Sequence, residues 1–414
     1  MSMNDRPTQP TRALLTLLIT LAAANVGTAA AADGLSALFT EGKGGLAFRY
    51  RLETVDQDNF AKDATASTLR TRLNFKSGTF NGFSFFAEYD YLLEVGWDDF
   101  NAGAGNTPDR SQYPVVADPD GWDLNQAYLQ WTPAKGTLLR GGRERIIYDN
   151  ARFVGNVGWR QNEQTYDGVY LQHKAGGIDL QAAWVGRVNR IFGRDVPAGR
   201  ADHDSWLLNA GKAWEGIGKL TGYWYNIHDD EVPASSNISY GLRIAGKLQS
   251  EAAALGYVAE YAHQTDAHDN PVNYSADYYR IDLSYGVDSF TPYIGYESLD
   301  GDERRAGAAF RTPLATLHAF NGWADQFLNT PGAGLNDLFL GARGKVGAWS
   351  WNVLYHDFEA ESGNSSYGDE IDASLGIKLF DRYGLLFKAA WFDAETGSSF
   401  NDTTKLWLQL TADF

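Results

Sequence analysis

A chain of 414 residues with 52 Asp and Glu against 35 Lys and Arg carries a formal net charge of −17. That excess of acid argues against nucleic-acid binding, whose footprint is a basic patch. Cysteine is absent, while 22 Tyr, 22 Phe, 13 Trp and 44 Gly sit in a sequence whose mean hydropathy is only −0.36.

Residues 1–32 read as a secretory signal. Arg6 and Arg12 supply positive charge, 13–24 are a short apolar run, and Ala30, Ala31 and Ala32 precede Asp33. This order of charge, apolar run and small residues predicts cleavage after Ala32. The apolar run is shorter than the ~20 residues a spanning helix needs, and no later run is long enough either.

From there the chain alternates apolar and polar residues with period two, as strands with two unlike faces do. Leu46, Phe48, Tyr50 and Leu52 oppose Arg49, Arg51 and Glu53. Leu69, Thr71, Leu73 and Phe75 oppose Arg70, Arg72, Asn74 and Lys76, and Ile371, Ala373, Leu375 and Ile377 oppose Asp372, Ser374 and Lys378. Such segments are predicted at 45–54, 67–76, 83–93, 123–132, 137–147, 165–174, 178–187, 205–214, 218–227, 238–248, 254–264, 277–287, 290–298, 336–345, 348–358, 369–379, 383–393 and 404–414. About 18 strands of ~10 residues suit an all-β, transmembrane antiparallel up-and-down β-barrel, which closes by backbone hydrogen bonds and needs no disulfide. Short connections alternate with long polar ones, so the short turns are assigned to the periplasm and the long loops to the outside. The domain reading is a signal peptide, 1–32, then a barrel, 33–414, in the outer membrane of a Gram-negative bacterium. Its surroundings would be outer-membrane lipids and lipopolysaccharide. The last strand runs to Phe414 with apolar residues at every second position, resembling the terminal signal read by the barrel-assembly machinery.

If the apolar face meets lipid, the polar face lines the lumen. This points Arg49, Arg51, Arg70, Arg72, Arg243, Arg280, Arg343, Lys76, Lys247 and Lys378 inward, since charge on the lipid side at mid-membrane costs ~2–4 kcal/mol. Arg143 and Arg145 join them, although Arg140 and Glu144 then fall on the other face and that strand alternates poorly. Glu88, Asp90, Glu260, Asp282, Asp337 and Asp372 also turn inward. The arginines then either attract anions or pair with these acids and stiffen the wall. Trp131, Trp349, Trp351, Trp391, Tyr223, Tyr225, Tyr279 and Tyr285 are expected to form outer aromatic belts. Phe86, Tyr128 and Tyr170, if inward, would offer apolar faces to sugar rings. Most surplus acid lies in the outer loops, which either bind divalent cations such as structural calcium or are solvated. No other cofactor and no metal site is expected.

Two segments, 142–168 (GRERIIYDNARFVGNVGWRQNEQTYDG) and 310–331 (FRTPLATLHAFNGWADQFLNTP), resemble the alginate-export family of outer-membrane porins. The resemblance extends over the chain after residue 32 and implies an 18-stranded barrel with an arginine-lined pore for an anionic uronate polysaccharide or its fragments. By position it implies that Arg143, Arg145, Arg152 and Arg160 belong to the positive pathway. It also implies that His318, Asn321, Trp323 and Asp325 lie in a long loop, 299–335, folded toward the pore. The aromatic content of that loop agrees, because such a stretch packs poorly in open water. The alternative function is a less selective porin, or a specific channel for another small anion. An enzyme is not expected: none of the seven His forms a spaced metal motif, and no G-x-S-x-G elbow occurs.

Overall fold

The computed structural model describes residues 34–414; the predicted signal segment, 1–32, lies outside the described residues. A single helical turn, Ala37–Thr40, leads into eighteen strands. These are β1 (Lys43–Gln57), β2 (Ala64–Lys76), β3 (Phe83–Asp99), β4 (Gly121–Ala134), β5 (Thr137–Glu144) and β6 (Thr165–Ala175). Then come β7 (Ile178–Asn189), β8 (Arg200–Trp214), β9 (Gly218–Ile227), β10 (Asn237–Gln249), β11 (Ala254–Asp266) and β12 (Ser275–Gly286). The chain finishes with β13 (Phe290–Leu299), β14 (Leu335–Val346), β15 (Trp349–Glu359), β16 (Ser366–Leu379), β17 (Tyr383–Ala394) and β18 (Thr403–Asp413).

Each strand pairs antiparallel with the next, and β18 pairs with β1 from Ala47↔Asp413 to Gln57↔Thr403, closing the sheet. Closure satisfies every strand edge without water, the condition for a sheet to cross a bilayer. All eighteen predicted strands are present. The largest differences are at β3, which runs to Asp99 rather than 93, and at β8, which begins at Arg200 rather than 205; β5 is shorter than predicted and ends at Glu144 rather than 147. Arg200 is held in the ladder by Asn189. Beyond Glu144 the Arg145 amide donates to the Gln126 side chain at 3.1 Å, and the chain turns into the lumen.

The period-two alternation sorts the two faces. On β8, Arg200, Asp202, Asp204, Trp206 and Leu208 are exposed, while Ala201, His203, Ser205, Leu207 and Asn209 are buried. Around the extracellular end an outward girdle of Trp122, Trp184, Trp206, Trp224, Tyr240, Tyr261, Tyr279 and Trp391 is exposed. Phe83, Trp131, Trp214, Tyr285, Phe290 and Tyr383 repeat it near the short turns. Aromatic rings suit these interfacial levels because one end is apolar and the other wet.

Two of the tyrosines expected in the belts are elsewhere. Tyr223 and Tyr225 are 7% and 2% exposed and face inward, because Leu220 and Trp224 take the outer face of β9. They stack at 5.0 Å and pack with Phe153, which also meets Tyr278 and Phe310 in an apolar cluster inside the barrel.

Candidate functional site in the barrel lumen

Two long connections at the extracellular end, 145–164 and 300–334, fold against the inner wall. They also hold each other: Val154 forms a parallel bridge with Leu314, and the Thr316 amide donates to the Ala151 carbonyl at 2.9 Å. The inward arginines of β1 and β2 grip the first loop. Arg49 donates to the Gln161 side chain at 2.9 Å and to the carbonyls of Gly158 and Arg160. Arg51 donates to the Trp159 carbonyl at 2.6 Å and to Gln409 at 2.7 Å, and Arg70 donates to the Gln161 carbonyl at 3.2 Å. Arg72 forks onto Asp90 at 2.7 and 2.6 Å and reaches Glu163 at 2.5 Å. Arg145 closes this group on Glu163 and on Glu88 at 3.1 Å.

Arg152 and Arg160, both in the first loop, tie it to the second and to the wall. Arg152 donates to Glu297 of β13 at 2.7 Å, to Thr312 at 3.1 Å and to Asn321 at 3.1 Å. Arg160 meets Glu53 of β1 at 3.1 Å and Asp325 at 3.0 Å.

The second loop presents all four of its expected residues to the same network. His318 lies flat on Trp159, with ring centroids 4.9 Å apart and 8° between planes. Its Nδ1 is 2.6 Å from Asp325 and its Nε2 is 2.6 Å from Lys388 Nζ of β17. These contacts fit a neutral ring whose Nδ1–H donates to the carboxylate while Nε2 accepts from the ammonium. Asn321 donates to Glu297 at 2.6 Å and to Asp337 at 3.1 Å. The Trp323 amide donates to Asp372 at 3.2 Å, and Lys388 stands 3.7 Å over the Trp323 ring. Asp325 also accepts from Lys405 of β18 at 2.8 Å. Asn321 and Asp325 sit at φ +55° and +62°, a left-handed conformation that Asn and Asp tolerate better than most residues.

Burial pushes His318 down to about 3 against the pull of Asp325. Burial would raise Glu163, but the Arg72 and Arg145 guanidiniums outweigh it and hold the carboxyl at about 2. Both groups dock in their deprotonated forms and have folded values below their ordinary ones. Their contribution is therefore complete above the ordinary histidine range, ~6.5, and is lost progressively as pH falls toward the docked values. Single-channel traces are expected to be quiet from neutral pH upward, and to develop added conductance and flicker as the pH drops below that range. Flicker that grows on alkalinisation instead would contradict this assignment.

Below the loops, two cavities open on the lumen. The first, about 340 Å³, is lined by Phe86, Tyr128, Arg140, Arg145, Tyr148 and Tyr170 among others. Phe86 stacks on Tyr128 at 5.5 Å, and the Arg140 guanidinium lies 4.9 Å over Tyr128 and 5.8 Å from Tyr170. This corrects the face assignment of β5. Arg140 and buried Glu144 point inward, whereas Arg143 is opposite Ala127 and Asp167, on the outward face it shares with exposed Leu129 and Val169. Arg145 reaches the lumen because it has already left the ladder, so strand parity no longer governs it. The second cavity, about 200 Å³, includes Arg280, Tyr293, Phe320, Trp323, Phe339 and Arg343. Arg280 stands 5.4 Å over Phe320 and 5.3 Å over Phe339, and Arg343 stands 5.4 Å over Tyr293.

Arg280 is also paired, with Asp282 at 3.0 Å and Glu297 at 3.3 Å, as is Arg243 with Glu260 at 3.3 Å. Near the short turns the inward faces of β2, β10, β14 and β16 carry Lys76, Lys247, Arg343 and Lys378, all exposed, as is Lys345. Among the described residues none of these five has a carboxylate within 4.0 Å. The lumen thus has two zones: charge-compensated where the loops dock, and basic toward the periplasmic mouth. Sequence parity also places Lys388 and Lys405 inward, although their partners in the second loop could not be foreseen. Among the described residues no group of three or more His, Asp or Glu is placed to hold a metal ion.

A family model described as "Alginate export" matches residues 43–285, more than half of the chain. The chain belongs to the alginate-export family. Among solved structures it is similar to OccAB4 of Acinetobacter baumannii, with a TM-score of 0.70 and 15% identity over 90% of this chain and 98% of that one. It is also similar to OpdK of Pseudomonas aeruginosa, solved with vanillate, at a TM-score of 0.70 and 14% identity over 90% and 98%. OccK9 (OpdG) of P. aeruginosa gives a TM-score of 0.71 and 13% identity over 91% and 100%. At these identities the neighbours establish the shared barrel fold. No curated protein sequence matches the chain. Family and fold together make this alginate-export protein an outer-membrane channel of a Gram-negative bacterium, in contact with its lipids and lipopolysaccharide, and are consistent with transport rather than catalysis.

Proposed function

We propose that this channel passes anionic saccharides of the uronate type, as polymer or as fragments. The observation that carries the reading is the pairing of guanidinium and aromatic ring in both lumen cavities: Arg140 with Tyr128 and Tyr170, and Arg343 with Tyr293. A uronate residue carries one carboxylate and an apolar ring face, so the two groups match its two chemistries. The basic periplasmic half supplies further weak contacts, and several weak sites favour passage over retention. Arg49, Arg51, Arg70, Arg72, Arg152 and Arg160 support the pathway indirectly, by holding the two loops that shape it. We also propose that Phe414 engages the barrel-assembly machinery.

The decisive experiment is block of single-channel current by oligouronates, neutral oligosaccharides and benzoate-type acids at equal concentration. Oligouronates are expected to block most strongly, and more strongly from the periplasmic side, where the unpaired lysines lie. Equal block by neutral sugars would contradict the reading. A second reading, a channel for small aromatic acids, is favoured by the modest volume of the cavities and by the fold shared with OpdK, which was solved with vanillate. Stronger block by benzoate-type acids than by oligouronates would select it.

A further inference from the structure

The short β5 strand leaves a notch in the outer wall. It pairs with β4 only from Ala127 to Ala134, so residues 121–126 of β4 have no β5 ladder partner on that side. The notch, about 560 Å³, lies at the extracellular end of the strands, and its apolar part is made by Trp122, Leu124, Ala127 and the backbone of Gly142 and Gly168. The two glycines allow the strands beneath the notch to approach closely. A Cβ at Gly142, where φ is +133°, would come within 2.3 Å of the Ala127 carbonyl oxygen, and one at Gly168 within 2.0 Å of that of Trp184.

Above the floor stand three arginines in unlike states. Arg143 is fully engaged: it forks onto Asp167 at 2.6 and 3.0 Å, contacts Asp123 at 3.3 Å and donates to the Leu124 carbonyl at 3.1 Å. Arg194 stands over Trp122, 3.9 Å from the ring centroid, and among the described residues its one carboxylate within 4.0 Å is Asp195, at 3.9 Å. Arg200 is exposed and, among the described residues, has no carboxylate within 4.0 Å. The neighbouring Asp202 is already taken by Arg187 at 2.7 Å.

We infer that this notch is a binding site for lipopolysaccharide, with a lipid A phosphate on Arg194 and Arg200 and an acyl chain lying over Leu124 and Ala127. Three properties point to that occupant. The notch opens on the wall that faces lipid, next to the exposed ring of Trp122. It sits at the extracellular end, where the outer leaflet places its phosphates. It also combines an unpaired guanidinium, Arg200, and a loosely paired one, Arg194, with an apolar floor, which a free anion or an uncharged lipid would each use only in part. Guanidiniums hold phosphate oxygens through paired, charge-assisted hydrogen bonds. A headgroup in the notch also offers acceptors to the backbone N–H groups that the short strand leaves without a ladder.

The test is a titration of the detergent-purified barrel with bisphosphorylated lipid A, with phosphatidylglycerol and with inorganic phosphate, followed by native mass spectrometry. Lipid A is expected to bind saturably at one site and phosphatidylglycerol markedly less. Inorganic phosphate should not compete at equal concentration. The double variant Arg194→Glu, Arg200→Glu should lose about tenfold or more in lipid A affinity, as expected for removing charge-assisted contacts. Ala127→Trp, which fills the floor and leaves both arginines in place, should lose a similar amount. Both variants should keep heat-modifiable migration and unaltered conductance, since neither change touches the lumen. Unchanged lipid A affinity in both variants, or phosphatidylglycerol binding as tightly as lipid A, would overturn the assignment.

Discussion

Replacing Arg160 by Ala is expected to release the docked loops. The side chain is 7% exposed and stands between Glu53 at 3.1 Å, Asp325 at 3.0 Å and Asp118 at 3.9 Å. Removing it leaves buried Glu53 without a cation among the described residues, while Asp325 keeps Lys405 and Asp118 keeps Arg51. Breaking a buried ion pair in this way costs about 3–5 kcal/mol, much more than the pair contributes relative to an apolar replacement. The barrel ladder is untouched, so the cost falls on loop docking. Open-channel conductance should rise, current noise should increase and protease should gain access to residues 145–164 and 300–334, while heat-modifiable migration stays normal. Arg160→Lys keeps a cation but not the fork that spans two acceptors, and should fall between the two. An Arg160→Ala channel with wild-type conductance and protection would show that the loops are held mainly by the apolar contacts of Phe153, Phe310 and Leu314.

The second large effect is expected from Arg140→Glu combined with Arg343→Glu. Each change replaces a guanidinium that faces a lumen cavity with a carboxylate, and neither residue anchors a docked loop. Arg140 contacts Gln130, Glu144 and the Tyr128 and Tyr170 rings, all on the barrel wall, and Arg343 stands over the wall residue Tyr293. A hydrogen bond to a charged group contributes about 1.5–3 kcal/mol, so each site lost should weaken oligouronate block by about tenfold to a hundredfold. Neutral-sugar block should change little. If oligouronate block survives the double change, the cavities are not where the carboxylates are read.

Much of this molecule was written in its alternation. Arg49, Arg51, Arg70 and Arg72 fall opposite Leu46, Phe48, Leu69 and Leu73, and the cost of charge against lipid is enough to decide which row turns inward. The same rule located Arg280, Arg343 and Lys378. It failed where strand geometry departs from simple parity. On β5 the direction of Arg140 and Arg143 depends on pairing with Tyr170 and Asp167 and on where the strand stops, neither of which is encoded in its own eight residues. Tyr223 and Tyr225 look like belt residues by type, yet face inward because Trp224 and Leu220 hold the lipid side. What the arginines do was also open. Paired guanidiniums and free ones have the same alternation, and only the folding back of Gln161, Glu163 and Asp325 distinguishes Arg72 or Arg160, spent on holding loops, from Arg343, left facing the lumen.

The account rests on a basic lumen wall toward the periplasm that is not cancelled by acid. The reversal potential of the reconstituted wild-type channel under a potassium chloride gradient tests this most directly. It should lie on the chloride side, and Lys76→Glu with Lys378→Glu should move it toward potassium. A wild-type channel that prefers potassium would contradict the proposed passage of anionic saccharides, whatever its loops and cavities hold.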